Sequence, residues 1–515
     1  MIARHLVVLS ASLLFATGLP QLAFSEDPAP PRTILRVALF PYIPDAGDDH
    51  YRRLSRLIET RFEEAYPEID LRLRDVDPED DFYDTGLLKT WLQDSDGDGY
   101  DVVEIDAVLL GELEDEGLIR PFEPQTDTRD WHPAARAAVS NGDVVLAIPH
   151  LLCAHYIISR VAEAADAADV RQVESALTAD PGTMERLAGD LQGSWNLPSL
   201  YLDAWRDTYP DKDVAAALAP ALDPKVRGAL LRVKRLCDHA DGNRCLDGSF
   251  HSPREDGPAT LLASESVNAI FGYSERLFTV TTELRKLWAR PGDLNRELRK
   301  LTIGPAALGF GNAPIVFVDA FVQRSGLAPA VGAAAQNFAE FMNRPELQGA
   351  LLMSHDAPDA PPRYLLPATL SAFETPGLKQ DRFYQILAES LENAAPFPTR
   401  GLPAIRKQLQ AELLAALGEA IAGEPATAAS SWSDQILDAF RQTPAIATGV
   451  LVTFAVGLLS IILSLLTLHT TRAGLRANVF RELRREFTPI RSRLPTAFWQ
   501  LTKAQVDASK STQRA

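Results

Sequence analysis

Chemistry in this chain can start from its three cysteines. Cys153 stands in "LAIPHLLCAHYIISR" (Leu146–Arg160), between an aliphatic run and an extended aromatic-containing one. Its thiol has three possible uses: a packed core group, half of a disulfide, or a nucleophile. The last needs a base to strip the proton. His150 and His155 flank it, and on a strand His155 shares its face two residues on. Cys237 and Cys245 bracket "CDHADGNRC", whose Asp-Gly-Asn content marks a turn. They suit a disulfide better than a metal site shared with His239, and closing so short a loop stabilises by about 2–3 kcal/mol. Cys153 is then the unpaired thiol. "DSDGDGYDVVEID" opens like a calcium loop with Asp94, Asp96 and Asp98, but its twelfth position is Ile105 rather than Glu. An acidic solvent turn is the better reading, and no metal or cofactor is expected. "GFGNAP" has no GxGxxG pattern and gives no nucleotide site.

Stepping from these residues to the elements around them, "TILRVALFPYIP" reads as a strand entering a loop. "YRRLSRLIETRFEEAYP" has helical spacing, with Leu54, Leu57, Ile58 and Phe62 on one broad face. "IDLRLRDVD" alternates as a strand. "YDVVEIDAVLLGELEDEGLIRPF" is a short buried strand running into a helix, and "GDVVLAIPHLLCAHYIISR" is two strand-like pieces around a proline. Beyond these, "VRGALLRVKRLC" is helical and "PATLLASESVNAIFGYSERLFTVTTELRKL" begins with a strand and carries a helix. "LTIGPAALGFGNAPIVFVDAFVQRSGL" is a strand and a return crossing, and "AAAQNFAEFMNRPELQGALLM" is a helix pair or one broken helix. Alternating strands and helices over about 400 residues predict an α/β fold in two lobes. Ligands of such sheets gather beyond strand ends, where Tyr42, Asp106, Cys153 and Asp319 fall.

The ends suggest export and anchoring. Residues 1–25 have a basic start, an apolar run and small residues at Ala23 and Ser25, as a secretory signal peptide does. Residues 445–471 are apolar and uncharged apart from His469. The 24 residues from Ala445 to Leu468 would cover about 36 Å as a helix, enough for one span. Arginines crowd the tail 472–515, whereas Asp434 and Asp438 precede the span with Arg441. The positive-inside rule then puts the tail in the cytosol and the body outside, a single-pass inner-membrane protein with a periplasmic domain. A helical membrane-proximal segment, 401–444, would join the two. The formal charge is −18. The tail holds ten Lys/Arg and three Asp/Glu, so the body is near −25. Such a body excludes nucleic acid as a partner, and the tail points to membrane lipids.

The order "LRVALFPYIPD", "YDVVEIDAVLLGELEDEGLIRPF", "NGDVVLAIPHLLCAHYIISR", "AIFGYSERLF", "PIVFVDAF" resembles the thiaminase I (thiamine pyridinylase) family, over roughly Ile34 to Arg400. The resemblance implies a type II periplasmic-binding-protein-like body, residues 32–400; it does not cover the one C-terminal transmembrane helix, which is expected from the apolar run alone. It implies Cys153 as nucleophile and Glu275 of "GYSE" as base, with Tyr273 as a neighbouring aromatic. It further implies Asp106, Asp319 and Tyr42 as substrate-binding residues and Asp130 as another acidic cleft position. The implied activity moves the pyrimidine-methyl group of thiamine from thiazole to a small nucleophilic acceptor, through a cysteine-linked intermediate. It needs no histidine, which leaves His155 without a role.

The rival reading is a membrane-anchored binding protein for thiamine or a similar small cation. Pure binding needs no soft nucleophile beside a base, so Cys153 with Glu275 favours the enzyme. A sensor would draw only on the span and tail.

Overall fold

The computed structural model describes residues 31–419, apart from 41–42, 75–81, 84, 94–96, 98, 180–184, 220, 240–241, 252–255 and 289. The first lobe grows from three parallel strands in the order β2-β1-β3: β1 (Thr33–Ala38), β2 (Ile69–Leu73) and β3 (Val102–Asp106). The helix Arg52–Ala65 crosses from β1 to β2 and buries Leu54, Ile58 and Phe62, one face at four-residue spacing. Phe62 meets Phe338 and Phe341 edge-on at 5.4 and 5.3 Å, which locks this helix to Pro329–Met342. Burying a ring of that size stabilises by roughly 1.5–3 kcal/mol.

One strand joins the lobes. β4 (Ile148–Ser159) is twelve residues long and buried along nearly all of its length. Its first half pairs with β8 (Ile315–Arg324), which in turn runs antiparallel beside β3. Its second half leaves that sheet and is flanked by β6 (Val267–Tyr273) and β7 (Thr302–Pro305) in the second lobe. There β6 also pairs in parallel with β5 (Glu185–Ala188). The proline inside β4 does not end it. Pro149 has no N–H for the ladder, and the β4–β8 register shifts between Asp319 and Ala320, passing over His150. Prolines inside sheets are confined to such bulges. His150 instead turns its ring to Glu104, Nδ1 to Oε1 at 2.5 Å, and gives its carbonyl to Ala368 N and Gln348 Nε2.

Two segments differ from their sequence reading. "PATLLA" is a helix rather than a strand: Gly257–Ala263 starts with Pro258 in its first turn, and the Asp256 carboxylate accepts from Ala259 N at 3.2 Å. That cap and proline outweigh the short apolar run. "AAAQNFAEFMNRPELQGALLM" is a helix pair, Pro329–Met342 and Pro345–Leu352, parted by Asn343 and Arg344 ahead of Pro345.

The expectation of a membrane helix is corrected. Among the described residues no helix is long and apolar enough to cross a membrane. The last described helix, Leu402–Glu419, carries Arg406, Lys407 and Glu412 and buries Leu402, Leu409, Leu413 and Leu417. It packs this row of leucines inward, and Arg406 and Gln410 bond Ser194 and Gln192 of the second lobe, so the body continues past residue 400. The leader 1–25, the span 445–471 and the tail 472–515 lie outside the described residues. The single-pass inner-membrane placement and the membrane-lipid partner therefore have no support in this structure.

Candidate active site

The lobes enclose a cleft of about 400 Å³. Strand register sets its floor. Asp319 on β8 lies opposite Asp106 at the end of β3, and Phe317, two residues earlier on the same face, lies opposite Cys153 on β4. Tyr273, the last residue of β6, lies opposite His155. The chain then turns through Ser274 and Glu275 into the helix Arg276–Leu287. Gly272 permits that turn, since a Cβ there would lie 2.1 Å from the Arg276 Nε. Cys153, Glu275, Tyr273, Asp106 and Asp319 all line the one cleft.

Asp130 is not among the lining residues. Its carboxylate takes the backbone N–H of Ser371 at 3.0 Å and the Ser371 hydroxyl, tying two short 3₁₀ turns together. Tyr42 and the aspartates 94, 96 and 98 lie outside the described residues. Among those described, no His/Cys/Asp/Glu group is arranged to hold a metal. Cys237 and Cys245 form a disulfide with Cα atoms 6.0 Å apart, and Cys153 is the free cysteine.

Asp106 serves two purposes. One oxygen caps the turn after β3 by accepting Val108 N at 3.0 Å; the other accepts the Tyr83 hydroxyl at 2.8 Å. Burial nevertheless pushes its carboxyl up to about 7, against both hydrogen bonds. Asp319 is raised well above the usual carboxylate range, first by burial and then by the charges of Asp106, Glu104 and Glu275. Glu275 is raised to about 7 by burial, partly opposed by Arg276, and its Oε2 is buried without a hydrogen-bond partner. The Cys153 thiol is pushed up by burial and by the negative field of Glu275, Asp319 and Asp106. It stays protonated until a base takes the proton or a cation offsets the field.

The walls are aromatic. Tyr83 of the first lobe meets Trp195 of the second at 4.3 Å between ring centroids, closing one side. Phe40 and Phe317 are buried in the lining. Among the described lining residues Arg276 is the single Arg or Lys, and it is paired with Asp256. A flat cation suits this combination of carboxylates and π faces.

His155 is not in the lining. It lies behind Tyr273, stacked at 4.9 Å. Its Nδ1 is 2.9 Å from Asp203 Oδ2, and its Nε2 is 3.4 Å from the hydroxyl of Ser199, which also donates to Asn196 O at 2.8 Å. Burial pushes the imidazole down to about 3 and Asp203 well up, so the pair is held neutral. Its geometry makes it a support for Tyr273.

Sequence reading passed over Tyr83, Trp195, Asp190 and His251, all in the lining. Tyr83 follows an acidic stretch of sequence with no apolar periodicity to mark it. Asp190 had a usable signal, since "ERLAGD" is a strand followed by a polar residue at its carboxyl end.

No family model matches the chain. A curated relative, thiaminase-1 of Paenibacillus thiaminolyticus, is 24% identical over 419 residues, 75% of this chain and 88% of that one. The solved thiaminase I from Bacillus thiaminolyticus superposes with a TM-score of 0.57 at 21% identity, over 74% of this chain and 99% of its own. The sugar-binding protein MalE from Xanthomonas citri gives 0.55 at 14% identity, over 75% and 95%. The fold is thus that of the two-lobed periplasmic-binding-protein-like proteins, and the sequence similarity to thiaminase I is at the level of a family.

Proposed function

We propose, from that family-level similarity and the contents of the cleft, that the protein is a thiaminase-like transferase acting on thiamine or a related heteroaromatic cation. The observation that carries the reading is the placement of Cys153 and Glu275 in one acidic, aromatic cleft, with a Glu275 oxygen buried and unpartnered. A binding site has no use for a nucleophile and a base set together, and a buried orphan oxygen is costly unless something uses it.

The chemistry follows from the residues. The substrate's positive thiazolium offsets the field of Asp106, Asp319 and Glu275, which makes the Cys153 thiolate easier to form. Glu275 takes the thiol proton; a carboxyl near 7 is well matched to that task at neutral pH. The thiolate adds to the electron-poor pyrimidine carbon next to a ring nitrogen. The electron pair it brings is pushed through the ring and expels neutral thiazole from the methylene carbon. An acceptor then adds at the methylene, the S–C bond breaks, and Glu275 returns the proton to sulfur. Asp106 or Asp319 accepts from the exocyclic amine, and Tyr273 stacks on the ring.

The test incubates the protein with thiamine, with and without an acceptor, and follows the intact chain and small molecules by mass spectrometry. The reading expects exchange products, plus a pyrimidine adduct on Cys153 when acceptor is withheld. Tight binding of thiamine without exchange for any acceptor would support the binding-protein reading instead.

A further inference from the structure

The cleft holds a second base-and-carboxylate pair that this mechanism leaves unused. Asp190 follows β5 and is 5% exposed. Four donors fix its carboxylate: Gln192 N at 2.7 Å, Gly193 N at 3.3 Å, Asn196 Nδ2 at 2.6 Å and His251 Nδ1 at 2.7 Å. His251, by contrast, keeps 58% of its side chain exposed while lining the same cleft as Cys153. Its ring rests against Gly193, where a Cβ would come within 3.1 Å of the imidazole Cε1. The disulfide helps bring these partners together. Cys245 O accepts Leu191 N at 2.8 Å, beside Asp190, and Cys245 precedes His251 by six residues. With Nδ1 donating to Asp190, Nε2 carries the lone pair.

We propose that His251, oriented by Asp190, marks an acceptor subsite at the cleft mouth and serves as base for protic acceptors, namely primary aromatic amines and thiols. The inference rests on the transferase reading. Its reason is a proton inventory. When the acceptor arrives, Glu275 already holds the proton of Cys153. A protic acceptor brings a second proton, which needs a second base. As the amine's lone pair forms the C–N bond to the methylene carbon, the N–H proton passes to Nε2 of His251 and the S–C bond to Cys153 breaks. A pyridine has no proton to lose and leaves as the pyridinium, so it does not need His251.

The experiment compares transfer from thiamine to aniline, to a small alkyl thiol and to pyridine in the full chain and in His251→Gln. Aniline and thiol transfer should fall about 100-fold, with pyridine transfer changed less than about twofold. Asp190→Asn should show the same split in weaker form. Added imidazole should restore aniline transfer to His251→Ala, a rescue that a purely structural histidine would not allow. A loss equal for aniline and pyridine, or no loss with either, overturns the inference and leaves the transferase reading standing. No turnover by the unmodified chain with any acceptor overturns both.

Discussion

Two buried polar regions lie one ring apart, on either side of Tyr273. In front, Glu275, Asp106 and Asp319 face the cleft, all raised by burial, with Glu275 Oε2 lacking a partner. Behind, His155, Asp203 and Ser199 are as deeply buried but answer one another. Glu104 does the same with His150 and Phe40 N. Burial alone therefore does not mark function, since both regions have it. What differs is satisfaction: His155 and Asp203 have their partners in the fold, whereas at the front Glu275 Oε2 has none, even though both oxygens of Asp106 are hydrogen-bonded.

The largest effect should come from the front. Cys153→Ala is expected to lower transfer by at least about 1,000-fold while thiamine binding, read by calorimetry, stays within a few-fold. Glu275→Gln comes next, at about 10²–10⁴-fold. The sign of its pH dependence follows from the raised carboxyl. The base works when unprotonated, so kcat/KM should rise with pH through about 7 and level above it. Asp106 titrates in the same range, so part of any such limb is its own. Glu275→Gln should flatten the limb in kcat and make that in kcat/KM shallower, leaving in kcat/KM the pH dependence of thiamine binding, which tracks Asp106 and Asp319.

The front region was legible in sequence to the extent that strands carry it. Cys153, Asp106 and Asp319 sit on buried strands whose apolar runs are visible, but of the three only Asp106 ends its strand; Cys153 and Asp319 lie inside β4 and β8, not at the strand ends expected from sequence. Tyr83 and Trp195 were not legible, because loops that meet across a cleft leave no periodic trace. The pairing of Asp190 with His251 depends on a turn closed by a disulfide, and their separation in sequence hides it. Asp130 shows the opposite failure: an aspartate that ties two turns reads in sequence like one that faces a ligand. The role of His155 was hidden because its partner, Asp203, lies on a helix, Asn196–Thr208, for which no face had been read.

The rear region should answer in stability. His155→Leu leaves Asp203 buried without its partner and is expected to destabilise by about 1–3 kcal/mol, measured by denaturant unfolding at pH 7.5. The imidazole is held near 3 in the folded state against an ordinary 6.5. Between those values the unfolded chain binds the extra proton, so this group makes the native protein lose stability as pH falls from 6.5 toward 3. The variant should therefore lose less than the parent between pH 6.5 and 4.5. Activity should fall only as far as Tyr273 is displaced; a collapse like that of Cys153→Ala would move His155 to the front region and break the comparison.

The smallest effect tests the seam between loop and strand. Tyr83→Phe keeps the ring against Trp195 and removes the hydroxyl that Asp106 accepts at 2.8 Å. That hydrogen bond favours the carboxylate, so its loss pushes Asp106 further up and leaves less negative charge at neutral pH to hold a cation. A bond of this kind contributes about 0.5–1.5 kcal/mol, and KM for thiamine should rise by about 2–10-fold at pH 7 with kcat unchanged. The deficit should shrink at pH 8.5, where Asp106 is ionised with or without the tyrosine. Tyr83→Leu removes the aromatic contact as well, and its deficit should persist at pH 8.5. If both variants behave alike, the hydroxyl is incidental and Tyr83 acts only as a wall, which would make Asp106 a capping residue that happens to line the cleft.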